Sequence, residues 1–95
     1  MRLNQHQINY FKKLALEIFN STNIYLFGSR ADDSLRGGDI DIYIQTDKKD
    51  NILKSKIIFL REFEKEFGEQ KIDLLIDNHS TKKEIFEIAK QGIKL

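Results

Sequence analysis

Cysteine is absent from this chain of 95 residues. No disulfide can brace it, and no thiolate can hold a metal. Stability has to come from one small apolar core, near the lower size at which domains fold without staples. The absence fits a reducing compartment, and a cytoplasmic location is the expectation. Proline is also absent, and the five glycines fall at turn-like positions. No repeat, linker or low-complexity segment interrupts the chain, so a single domain over 1–95 is expected. No apolar run approaches the ~20 residues of a membrane span. The start, MRLNQHQINY, has no apolar stretch of the kind a secretory leader carries, so none is expected. No excess charge of one sign is present either. The net charge is +1 and both signs are interspersed, which leaves no basic stripe for a nucleic-acid duplex.

What the sequence does contain is a sharply organised stretch from Asn23 to Gln45, NIYLFGSRADDSLRGGDIDIYIQ. Periodicity around it predicts a helix over Asn4–Phe19, with Asn4 and Gln7 as a reciprocal cap. A short buried strand follows at Ile24–Phe27, then a turn or two of helix over Ser29–Leu35. Gly37-Gly38 turns the chain into a second strand, Asp39–Gln45. The longest helix is predicted over Asn51–Phe67, with Ile52, Leu53, Ile57, Leu60, Phe63 and Phe67 as its apolar stripe and Gly68 as its stop. A third strand is expected at Lys71–Ile76. Thr81 to Glu84 fits a capping box for a last helix carrying Ile85, Ile88 and Ala89, and Gly92 stops it. Ile93–Leu95 is left as a short strand or a tail. The order αβαβαβα, with a long helical crossover between the second and third strands, predicts an α/β (α+β) domain. Its mixed sheet of three to four strands is flanked by helices.

Strand side chains alternate between faces. Ile40, Ile42 and Ile44 therefore share the core face, and Asp39, Asp41 and Tyr43 share the other. In KIDLLI, Ile72, Leu74 and Ile76 face the core and Asp73 points away. If the second and third strands are parallel neighbours, Asp73 comes near Asp39 and Asp41. Three carboxylates then suit a hard divalent cation, which prefers oxygen ligands. Gly28-Ser29 at the end of the first strand is the other half of the pattern. Gly28 permits close backbone approach to a ligand, and Ser29 opens a short helix whose N-terminal N–H groups favour phosphate. For Ser29 to meet Asp39, the first two strands must be antiparallel. Each fragment alone is weak. The combination, in order and on three strands, suits a metal-bound nucleoside triphosphate.

That combination of Gly28, Ser29, Asp39, Asp41 and Asp73 resembles the nucleotidyltransferase superfamily shared with polymerase beta and kanamycin nucleotidyltransferase. The flanks LFGSRA and DIDI are similar to the minimal nucleotidyltransferases of bacteria and archaea, the MNT proteins. The resemblance runs from the first helix to Gly92. It implies the nucleotidyltransferase fold and Mg²⁺, one or two ions, with ATP as co-substrate. Asp39, Asp41 and Asp73 would be the metal-holding and catalytic carboxylates, with Asp73 assisting deprotonation of the acceptor. Gly28, Ser29 and Arg30 would form the nucleotide site. Arg30 could equally pair on the surface with Asp32 or Asp33. Those two acids stand where MNT proteins often carry Arg-Gly, and pointing inward they would weaken nucleotide binding.

The resemblance further implies an antitoxin that transfers AMP to a tyrosine of a small helical HEPN toxin. There is no room here for an acceptor domain of the chain's own. The alternatives are a subunit that modifies a small molecule such as an aminoglycoside, and a purely binding antitoxin with a vestigial nucleotide site. His6 and His79 lack partners at metal-ligand spacing and are expected on the surface. Tyr25 and Tyr43 are expected to pack, with Tyr43 placed to flank a purine if its face is open.

Overall fold

The computed structural model describes residues 3–28, 38–80 and 83–95. The first helix, α1 (Gln5–Phe19), starts as its sequence dictates. The Asn4 side chain accepts from the Gln7 N–H at 2.8 Å, and the Gln7 side chain returns the bond to the Asn4 N–H at 3.0 Å. Asn20 closes it in the left-handed conformation. Then come β1 (Asn23–Phe27), β2 (Ile40–Gln45), α2 (Ile52–Phe67), β3 (Ile72–Asp77), α3 (Glu84–Lys90) and the two-residue β4 (Ile93–Lys94). The predicted short helix over 29–35 lies outside the described residues, as do Gly37 and the Thr81-Lys82 part of the proposed capping box. Lys83 is the cap residue of α3 and makes no side-chain capping bond.

Four strands form one sheet in the order β3-β2-β1-β4 among the described residues. β1 runs antiparallel to β2 and to β4, and β2 runs parallel to β3. Both directions match those required for the site. The parallel pair is joined by α2, the crossover such a connection needs.

The helices lie on both faces. α1 and α2 cover one, where Phe11, Leu14, Ala15 and Phe19 meet Ile24, Leu26, Ile40, Ile42, Ile44, Leu74, Phe59 and Phe63. Phe11 and Phe63 stack with ring centres 4.3 Å apart, a contact that binds α1 to α2. Two buried hydroxyls fasten the end of α1 to the end of β2. Thr46 Oγ1 donates to the Phe19 carbonyl at 2.6 Å, and Ser21 Oγ donates to the Gln45 carbonyl.

The stripe expected on α2 needs correction. Phe59, Phe63 and Ser55 are its buried residues, whereas Leu53 is 72% and Ile57 47% exposed. Ile52, Leu60, Phe63 and Phe67 of the expected stripe do lie in or against the core. On α3, Phe86 and Ala89 are buried, and Ile88 is 60% exposed. α3 lies over the opposite sheet face, where Phe86 and Ala89 pack on Tyr43, with Tyr25, Phe27 and Leu75 around them.

Candidate active site

The site is built by strand register. Phe27, the last residue of β1, stands opposite Asp41 on β2, and Asp41 stands opposite Asp73 on β3. Asp41 therefore occupies the middle position, with the end of β1 on one side and a second carboxylate on the other. Gly28 follows directly, with φ at +71°. A side chain there would collide with the Asp41 carboxylate, whose Cγ would lie 3.1 Å from the added carbon. Only glycine satisfies both the left-handed backbone and the close approach.

Asp41 is half-buried and pushed up to about 6. Burial is the largest cause, followed by a hydrogen bond with Asp73 and the negative charges of Asp73 and Asp39. Two carboxylates this close repel one another when both are ionised, which favours the protonated form of Asp41. Asp39 lies just before β2 and is anchored differently. Its Oδ2 is 3.5 Å from Lys71 Nζ, and the Ile40 N–H bonds the Lys71 carbonyl at 3.1 Å. Gln70 reaches across to the Gly38 carbonyl at 2.6 Å. Among the described residues, no three His, Cys, Asp or Glu side chains converge as a metal-holding group. Asp41 and Asp73 are brought together, and Asp39 contributes charge from the side. Ser29, Arg30, Asp32 and Asp33 lie outside the described residues.

A groove of about 480 Å³ opens beside the acid pair. Asp41 and Asp73 lie in it, and Phe27, Leu60, Ile72, Leu74, Leu75 and Ile85 form apolar walls. Lys56 on α2 adds the one cation among its described lining residues. The sequence reading passed over Lys56, which sits in a helix rich in lysine. Its signal was the position one turn before Leu60, on the flank that faces β3.

Tyr43 is not available to a purine. It is fully buried beneath Phe86, with ring centres 5.6 Å apart. Its hydroxyl donates to Asp77 Oδ2 at 2.6 Å. Burial, and then this bond to a carboxylate, drives the phenol's pKa upward. Asp77, at 6% exposure, went unnoticed in the sequence. Burial alone would raise it. The Tyr43 hydroxyl, the His79 N–H, and the charges of His79 and Lys90 outweigh that and hold it below its ordinary value. A cavity of about 420 Å³ lies at this end of β3, between Asp77, His79, Lys83 and Lys90, away from the acid pair. The groove holding Asp41 and Asp73 is the better candidate because it joins the paired carboxylates to open space. His6 is on the surface as expected, 3.1 Å from Glu66.

A carboxylate pair across parallel strands, with a glycine turn ending the antiparallel neighbour, has the chemistry of a phosphate-transfer site served by a hard cation. Residues 8–95 match the family described as polymerase beta, nucleotidyltransferase, and the chain belongs to that family. Its three helices and mixed four-stranded sheet, counted among the described residues, have the nucleotidyltransferase arrangement. The family works with a nucleoside triphosphate and a divalent metal. No curated protein matches the chain. No helix among the described residues is long and apolar enough to cross a membrane.

Proposed function

We propose that this protein transfers AMP from ATP to a tyrosine hydroxyl of a small helical HEPN toxin, and so acts as the toxin's antitoxin. The register that sets Asp41 between the β1 end and Asp73 carries the transfer reading. The donor set fits Mg²⁺. It is all oxygen, and a cation there would offset the repulsion between Asp41 and Asp73 that helps to raise the Asp41 pKa. Asp41 and Asp73 would hold the ion, and Asp39 would join them on releasing Lys71. Bound there, Mg²⁺ would supply charge neutralisation for the triphosphate.

The chain's own residues do the rest. Asp73 takes the proton of the acceptor hydroxyl. The acceptor oxygen bonds the α-phosphorus as the bond to the β-phosphate breaks, and pyrophosphate leaves with the electron pair. Gly28 lets the backbone approach the phosphates, and Ser29 and Arg30 hold them. Six apolar side chains beside the two carboxylates and Lys56 give the groove walls that suit an acceptor with a flat apolar body and a hydroxyl. In this reading a second protein holds the acceptor hydroxyl in line with the α-phosphorus.

Intact-mass spectrometry of the co-expressed genomic neighbour, incubated with ATP and Mg²⁺, tests this. Wild type should add one AMP, Asp41→Asn none, and Asp73→Ala none while still binding ATP. A labelled aminoglycoside with an unmodified partner would move the assignment to the small-molecule enzyme. Tight binding with no added mass, equal for wild type and Asp41→Asn, would leave a binding antitoxin with a vestigial site.

A further inference from the structure

Lys56 is the cation in a groove whose other polar side chains are the two carboxylates Asp41 and Asp73. It is half-buried on α2. Its stem can run along apolar surface while its ammonium stays at the opening. Among the described residues, Lys48, Lys65, Lys71 and Lys90 each lie within ion-pair distance of a carboxylate, and Lys56 does not. Its three donors are therefore not consumed by the acid pair it stands beside. An unpaired ammonium in a small, mainly apolar groove is poised for a ligand oxygen. Asp73 is exposed at the same place. Phe27, Leu60, Ile72 and Ile85 provide the walls that an aromatic body would touch.

We propose that Lys56 anchors the acceptor, donating from Nζ to the hydroxyl oxygen of an aromatic side chain seated in this groove, while Asp73 takes the hydroxyl proton. This rests on the transfer reading above and adds a positioning residue to it. The ammonium stabilises the oxygen as negative charge grows there. The proton passes to Asp73, the new O–P bond forms at the α-phosphorus, and pyrophosphate departs with the electrons of the broken bond. Lys56 itself gains and loses nothing.

Two small probes test the anchor without nucleotide or metal: 4-methylphenol, and 4-methylanisole, which keeps the ring and loses the hydroxyl. Binding is followed by NMR at the methyl groups of Leu60, Ile72 and Ile85. Wild type should prefer the phenol by about tenfold, the effect of one hydrogen bond to a charged group. Lys56→Met, an unbranched neutral replacement, should erase the preference, and Lys56→Arg should keep most of it. A thermal melt checks that both variants fold. In the transfer assay, Lys56→Met should raise KM for the partner protein about tenfold and leave ATP affinity unchanged.

No probe shifts at the groove methyls, or a phenol preference that survives Lys56→Met, overturns the proposal. So does an equal rise in KM for ATP, which would make Lys56 a donor-phosphate residue. Lys56-dependent phenol binding without any AMP transfer would support the anchor and sink the function proposed above, so the two fail separately.

Discussion

Replacing Gly28 with alanine probes the contact on which the site depends. The new side chain has two costs. The first is backbone: at φ +71° a non-glycine residue gives up about 1–2 kcal/mol. The second is steric. The added carbon falls inside contact distance of Asp41 Oδ2, 3.1 Å from Cγ and 3.4 Å from Cβ, so the carboxylate has to rotate away. Rotation breaks its bond with Asp73. A further ~1–2 kcal/mol is expected from this, giving a total of about 2–4 kcal/mol.

A double-mutant cycle separates the parts. Asp41→Ala removes the colliding atoms, so in that background Gly28→Ala should cost only the backbone share. The coupling read by urea unfolding should be about 1–2 kcal/mol. In a domain of this size each kcal/mol moves Tm by about 4–8 °C. Gly28→Ala should also abolish transfer even where the protein remains folded. Additivity within about 0.5 kcal/mol would refute the close approach and leave Gly28 a simple turn residue.

The remaining expectations address charge and core. Asp41 binds its proton more tightly folded (about 6) than at its ordinary 3.8, so the metal-free protein should lose stability as pH rises from about 4 to 6. Screening limits the loss to the order of 1 kcal/mol, and Asp41→Asn should flatten it in unfolding curves taken across that range. Asp77 works in the opposite direction. Held low, it contributes stability above its ordinary 3.8 that disappears as pH falls below it. Tyr43→Phe takes one partner from that buried carboxylate and should cost about 1–3 kcal/mol at pH 7, with the Asp77 titration moving up by NMR. Phe59→Ala should cost about 3–5 kcal/mol and Leu53→Ala less than about 0.5 kcal/mol in the same denaturation assay. The reverse ranking would restore the stripe first read on α2.

Much of the fold was legible because its determinants are local. Asn4 and Gln7 cap α1 through side chains three residues apart, and the structure repeats that pattern. Alternation along DIDIYIQ put Ile40, Ile42 and Ile44 in the core, where all three are fully buried. The strand directions were legible as conditions of the site: antiparallel first and second strands for Ser29 to meet Asp39, and parallel second and third strands for Asp73 to come near Asp39 and Asp41. Both directions hold.

The errors arose where several residues compete for one buried face. Leu53, Ile57, Ile58 and Phe59 are all apolar and spread around α2, so periodicity allowed more than one inward side. The crossover packs α2 so that Phe59 and Phe63 reach the rings of α1. Tyr43 packs as expected and the condition for a purine role fails: its face is the aspartate face, but α3 returns over its far half and seals it.

The sequence by itself therefore determined the element order and which strand residues face the core, because caps and alternation are properties of neighbouring residues. Tertiary structure alone decided which acids meet. It paired Asp41 with Asp73, gave Asp39 to Lys71, and buried Asp77 with Tyr43. It also placed Lys56 beside the acid pair. Those outcomes depend on register and on how α2 and α3 lie across the sheet, which no stretch of neighbouring residues encodes.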